Sequence, residues 1–181
     1  MMPARPHLHP PLRPTEIPAI IDFEASGFGK DSYPIEVGFV APSGYSWCSL
    51  IRPEDDWRQW DNSAEGVHHI ARELLFSHGK SCEFVAAHLN QALEGCIVYT
   101  DGWAHDYIWM ARLFDAANTN PHFQLEDLRR VLTPQQESLW HATKSVIQEE
   151  LHATRHRASI DARVLQLTWV RTWESDAALY L

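Results

Sequence analysis

The stretch IIDFEASGFGKDSYPIEVGF constrains this chain more than any other. An apolar run, Ala19-Ile20-Ile21, ends in two acids two positions apart, Asp22 and Glu24. The run reads as a strand, and in a strand residues i and i+2 share a face. The chain must therefore fold so that two neighbouring carboxylates sit at the end of a buried strand. Such a pair repels itself and calls for a cation nearby. A hard divalent ion with oxygen ligands, Mg²⁺ or Mn²⁺, is the simplest choice. Taken alone, D-x-E is common, and two solvated acids at a strand end would be the default reading.

Periodicity lays out the remaining elements. Residues Ala19–Glu24 read as a first strand; Ile35–Ala41 and Tyr45–Ile51 follow as two more, joined by a turn at Pro42-Ser43-Gly44. Asp55–Ser63 is polar but carries Trp57 and Trp60, and reads as a loop. Ser81–Leu93 has helical spacing and stops before Gly95. Cys96–Thr100 reads as a short strand, Trp103–Ala117 as a helix and Phe123–Leu125 as a brief strand. Pro134–Ala153 and Ser159–Trp173 read as the last two helices. Three hairpin-connected strands followed by alternating helix and strand predict an α/β fold, a mixed sheet with helices on both faces. A chain of 181 residues suits a single domain. Residues 1–17 form a Pro-rich arm ahead of the domain at 18–181, because six of the eleven prolines lie in MMPARPHLHPPLRPTEIP. That segment lacks the apolar core of a secretory signal, and no apolar run approaches a membrane span.

Composition narrows the partners. A net charge of −9 argues against coating nucleic acid by bulk attraction and favours a short, end-engaged footprint. Cys48, Cys82 and Cys96 show no C-x-x-C spacing and read as buried, reduced thiols of a cytoplasmic protein. The histidines lack the partners of a zinc site.

Two further segments carry chemistry. VYTDGWAHDYIWMARLF places Asp106 early in a helix, and HRASIDARVLQL places His156 five residues before Asp161. A D-x-E strand, a mid-chain Asp entering a helix and a late H-x-x-x-x-D, in that order, resemble the DEDD superfamily of 3′→5′ exonucleases, in its histidine-containing (DEDDh) branch. The resemblance runs from about Pro18 to Thr172 and implies the ribonuclease H-like fold. It implies that Asp22, Glu24, Asp106 and Asp161 hold two divalent metals, Mg²⁺ or Mn²⁺. Two ions roughly 3.5–4 Å apart can activate water and neutralise the leaving oxygen. Asp101 is the reserve for Asp106, and each has an ordinary reading at a helix start. On one helix His156 and Asp161 would point about 140° apart. They converge only if His156 lies in the preceding loop, with Ser159 as the cap and Asp161 sharing a face with Leu165 and Thr168. His156 is then the expected general base, with an ordinary pKa of about 6.5.

The resemblance also implies that Ala25, Ser26, Gly27 and Phe28 receive the terminal nucleotide. Gly27 permits close backbone approach, Ser26 is a donor and Phe28 is a stacking surface. Val67-His68-His69-Ile70 resembles the family's H-G-I turn beside the terminal base, with His69 in place of the glycine. Trp57, Trp60 and Trp103 are stacking candidates whose default is core packing. The implied partner is the 3′ end of single-stranded DNA or RNA, with a homodimer on the Trp-rich surface left open. A binding module or a polymerase-associated proofreading subunit on the same fold is the alternative.

Overall fold

A computed structural model describes residues 16–152 and 157–177. Most of the expected arm, and His156 with its neighbour Arg155, lie outside these residues.

Among the described residues the sheet has five strands: β1 (Ala19–Ala25), β2 (Pro34–Val40), β3 (Ser46–Leu50), β4 (Ile97–Thr100) and β5 (Gln124–Asp127). Their order is β3-β2-β1-β4-β5. The first three pair antiparallel, while β4 lies parallel to β1 and β5 parallel to β4. The register sets Ile20 against Val40 on one side and Tyr99 on the other. It slips between Glu24 and Ala25, where pairing jumps from Glu36 to Pro34. A bulge of this kind bends the strand and re-aims side chains beside a site.

The helices are α1 (Asn62–His68), α2 (Arg72–His78), α3 (Cys82–Leu93), α4 (Trp103–Ala116), α5 (Pro134–Glu150) and α6 (Ala158–Ala177). A short 3₁₀ turn covers Leu128–Arg130. Local chemistry sets several starts. Ser81 accepts from Phe84 N and caps α3, and Thr133 forms a reciprocal capping box with Gln136, with Pro134 following it. α1 starts at the end of the stretch that reads as a loop and α2 lies where no element is expected; each spans only seven residues, too short for periodicity to reveal.

Strand alternation divides the interior into two layers. Ala19, Ile21, Phe23 and Ala25 of β1 pack with Val85 and Leu89 of α3 and with Met110 and Leu113 of α4. Ile20, between them, packs on the opposite face with Trp140 of α5 and Ala162, Leu165 and Trp169 of α6. Helices thus cover both faces, as expected. Each fully buried Ile or Leu in these layers contributes about 1.5–3 kcal/mol. Trp57 belongs to the first layer at 5% exposed, so it is a core residue. Of the cysteines only Cys82 is buried; Cys48 is exposed on the edge strand β3 and Cys96 is intermediate, contrary to the expectation of three buried thiols. No helix among the described residues is long and apolar enough to cross a membrane.

Candidate active site

The face of β1 that carries Ile20 carries Asp22 and Glu24 next. On α6, Asp161 precedes Leu165 by four residues and so lies on the same helix face one turn earlier. Because Leu165 packs in the layer with Ile20, Asp161 arrives beside the two strand acids. Carboxylate oxygens of Asp22, Glu24 and Asp161 lie within 4.8 Å of one another, and all three residues are half-buried. Asp106 comes from the first turn of α4, directly after β4, and is 3% exposed. It lines the same cleft of about 580 Å³. β1 and β4 are parallel neighbours, so the cleft sits beyond their carboxyl ends, where α/β sheets place ligands.

The acids alter one another's chemistry. Burial, followed by the charges of Asp106, Glu24 and Asp161, holds the Asp22 carboxyl well above the ordinary carboxylate range. Burial and then Asp161, Glu36 and Asp106 push Glu24 up to about 8, against a smaller opposing pull from Arg157. Asp106 is pushed up to about 7, chiefly by burial, although a hydrogen bond donated by the Thr100 hydroxyl favours its charged form. Convergent, crowded carboxylates supply only oxygen donors, the donor set of Mg²⁺, Mn²⁺ or Ca²⁺. A divalent cation held among them would favour their charged forms against the burial and mutual repulsion that raise them.

Asp101, the reserve for the middle acid, lines the same cleft but is paired with a cation. Lys144 of α5 donates to its carboxylate at 2.9 Å. Asp101 does not cap α4 either; that helix has Gly102 as its cap residue, whose N–H donates to the Thr100 hydroxyl at 3.1 Å.

The loop after β1 divides its expected roles. Ala25, Gly27 and Phe28 line the cleft. Gly27 has φ +151, and a Cβ there would come within 2.7 Å of Gln59 and 2.8 Å of Asp61, so only glycine fits. Phe28 is 70% exposed, its ring centroid 5.2 Å from that of His105 with the two rings steeply inclined. Ser26 does not line the cleft. It is fully buried, its hydroxyl donates to Gln59 Oε1 at 2.6 Å and accepts from Tyr33 N at 3.1 Å, and so it ties loops together rather than facing a ligand.

His69, standing where the resembled turn has glycine, keeps a glycine-like turn. It adopts φ 56, the left-handed conformation a glycine would take there, and its N–H closes α1 on Glu65 O at 2.8 Å. Its side chain is exposed and borders a separate shallow depression. The neighbouring His68 reaches the cleft instead, 3% exposed, with Nδ1 accepting from Ile70 N at 3.0 Å. The resemblance of this segment to H-G-I was the available signal for His68. Lys144 and Gln148 of α5 also line the cleft. No sequence motif marks them, because α5 reaches the site only through its packing against α6.

Among the start signals of α6, Ser159 is not the cap. The helix begins at Ala158, so Ser159 lies inside the first turn. The Ala158 N–H is met instead by Glu36 of β2, at 2.9 Å.

Comparison with known structures gives the same architecture. Crystal structures of exonuclease I superpose on the chain. The E. coli enzyme in complex with a dA16 oligonucleotide matches with a TM-score of 0.63 at 12% identity, covering 87% of this chain and 42% of that one. A zinc-bound form of the E. coli enzyme with single-stranded DNA matches with a TM-score of 0.67 at 13% identity, covering 90% and 41%. A moderately thermophilic exonuclease I from Methylocaldum szegediense matches with a TM-score of 0.64 at 12% identity, covering 88% and 42%. The chain spans about two fifths of the length of these proteins. At such identities the likeness establishes the fold, the ribonuclease H-like exonuclease fold. No protein-family model matches the sequence, and a search of curated proteins finds no match.

Proposed function

We propose that this chain is a metal-dependent 3′→5′ exonuclease of the DEDD superfamily that removes mononucleotides from single-stranded ends. The observation that carries the reading is the convergence of Asp22, Glu24 and Asp161 from β1 and α6, with Asp106 from α4 in the same cleft. The shared fold with exonuclease I, solved with single-stranded oligonucleotides, supports it.

In this reading Asp22, Glu24, Asp106 and Asp161 hold two Mg²⁺ or Mn²⁺ ions. Ions held there would neutralise phosphate charge and activate a water. The chain's own side chains orient the substrate. Phe28, exposed at the cleft, offers a face for a base. Ala25 and Gly27 let the terminal nucleotide approach the backbone. Lys144 is the only lysine or arginine lining the cleft among the described residues, and its ammonium suits a phosphate oxygen. His156 precedes Arg157 in the chain and takes the proton of the attacking water.

A 5′-labelled single-stranded oligomer with Mg²⁺ or Mn²⁺ should give a descending ladder, and EDTA should stop it. DNA and RNA versions identify the sugar preferred. A circular single strand should resist; its cleavage at a comparable rate would make the protein an endonuclease, and binding without any hydrolysis would make it a binding module. His156→Ala should lower turnover by about 10²–10⁴-fold with little change in KM, as expected for a proton-transferring group. Near wild-type turnover at neutral pH would remove that role. Asp106→Asn should cost far more activity than Asp101→Asn, since Asp101 is held by Lys144. The reverse order would reassign the middle acid.

A further inference from the structure

We infer that Glu36 and Arg157 are a positioning pair, docking the first turn of α6 onto β2 and thereby holding Asp161 in the acidic site. The inference rests on the metal-site reading above and concerns two residues that the metal ligands do not include.

Glu36 lies directly across from Glu24 in the β1–β2 register and is 1% exposed. Arg157 grips its carboxylate with a fork: Nε donates to Oε1 at 3.0 Å and to Oε2 at 3.2 Å, and Nη2 donates to Oε1 at 2.7 Å. The backbone N–H of Ala158 donates to Oε2 at 2.9 Å. The Arg157 carbonyl in turn accepts from Ile160 N at 2.8 Å and from Asp161 N at 3.0 Å. A continuous chain of hydrogen bonds therefore runs from the β2 carboxylate to the backbone of Asp161. Two residues along the same face of β2, Gly38 completes the dock. A Cβ there would lie 2.2 Å from Ser159 N, so only a bare backbone lets the helix start this close.

A helix begins with unpaired N–H groups and a positive dipole end. Here a carboxylate from another element meets both, in place of a local cap. A buried carboxylate set among other acids is costly, and an apolar pair of similar volume would serve stability as well. What Glu36 adds is direction: a bidentate fork admits one arrangement of the turn it holds. The remainder of α6 does not depend on it. Ala162, Leu165 and Trp169 are buried against β1, and Gln166 Nε2 donates to Pro18 O at 2.9 Å and Ala41 O at 3.0 Å. Loss of the fork should thus free the first turn, and Asp161 with it, while the helix stays docked.

The test compares Glu36→Gln and Arg157→Gln with Gln166→Ala, which weakens the same helix away from the site. Calorimetric titration with Mn²⁺ should show affinity reduced about 10–100-fold in both fork variants, the range for groups that support metal ligands. Gln166→Ala should lower Tm yet keep wild-type Mn²⁺ affinity. Amide exchange at Ile160 and Asp161 should quicken at least about tenfold in the fork variants and stay unchanged at Trp169 and Thr172. Arg157→Lys, which keeps the charge but not the fork, should behave like Arg157→Gln. Its side chain is 44% exposed, so the variant folds even if Glu36→Gln does not. Wild-type exchange at Ile160 and Asp161 in folded fork variants would overturn the positioning role. Loss of Mn²⁺ affinity in Gln166→Ala equal to that in the fork variants would also overturn it. A wild type that takes up no Mn²⁺ overturns the metal reading itself, a result distinct from either.

Discussion

Asp22→Asn should raise the melting temperature of the metal-free protein while abolishing both hydrolysis and the stabilisation that Mn²⁺ confers on the wild type. Asp22 is held well above the ordinary carboxylate range by burial and by Asp106, Glu24 and Asp161. A group whose folded pKa is raised supports the fold in its protonated form and opposes it once charged. Asparagine keeps the neutral form at every pH. The gain therefore appears at pH 8 and vanishes near pH 4, and should be of the size common to single stabilising changes, about 0.5–2 kcal/mol. For a domain of this size that is roughly 2–4 °C per kcal/mol. The cost is function, because the charge that strains the fold is the charge that would hold metal. Losing several kcal/mol of transition-state stabilisation corresponds to a fall of about 10³-fold or more in rate. Thermal scans in EDTA and in Mn²⁺ at pH 4 and pH 8, with the ladder assay, check both halves. Undiminished two-ion binding in the variant would remove the metal assignment.

The metal-free protein should lose stability as pH rises, the opposite of the usual behaviour of salt-bridged carboxylates. Burial and neighbouring acids push Glu24 up to about 8 from an ordinary 4.5, and burial pushes Asp106 up to about 7 from 3.8. Between these limits the folded state binds more protons than the unfolded one, so stability falls with pH. The contribution of the two groups is full below about pH 4 and lost as pH passes 7 to 8. The total is on the order of a few kcal/mol, a drop of roughly 5–10 °C in Tm between pH 5 and 8 in EDTA. Mn²⁺ should reverse the slope, because only deprotonated carboxylates bind it and binding releases protons. At a hundred times its Kd the ion adds about 2.7 kcal/mol. Calorimetric scans from pH 5 to 8 with EDTA or Mn²⁺ provide the measurement. A Tm in EDTA that is flat or rising over that range would show that the acids are not held in their protonated forms.

The strand acids illustrate what a sequence can reveal. Alternation alone puts Ile20, Asp22 and Glu24 on one face, and helical spacing alone puts Asp161 on the face of Leu165. Those two local periods fix only the face each acid occupies; that Asp22, Glu24 and Asp161 would meet was implied by the resemblance that the order of the motifs carries, and the structure brings the three together. The five strands, α3 to α6 and the two-sided sheet follow from the same rule. Short elements escaped it, since α1 and α2 are seven residues each.

What the sequence by itself determined, then, is the residues whose roles are set by neighbours one strand pitch or one helical turn away. Tertiary structure alone decided everything that needs two distant segments to meet. It buried the Ser26 hydroxyl against Gln59 rather than leaving it to a ligand. It paired Asp101 with Lys144, 43 residues on. It turned His68 rather than His69 toward the cleft, because His69 takes the left-handed position that ends α1. It also placed Glu36 rather than Ser159 at the start of α6, across 122 residues of chain. The physical reason is common to all four. Hydrogen-bond partners and helix caps are satisfied by whichever group packing brings within about 3 Å, and that distance carries no mark in a linear sequence.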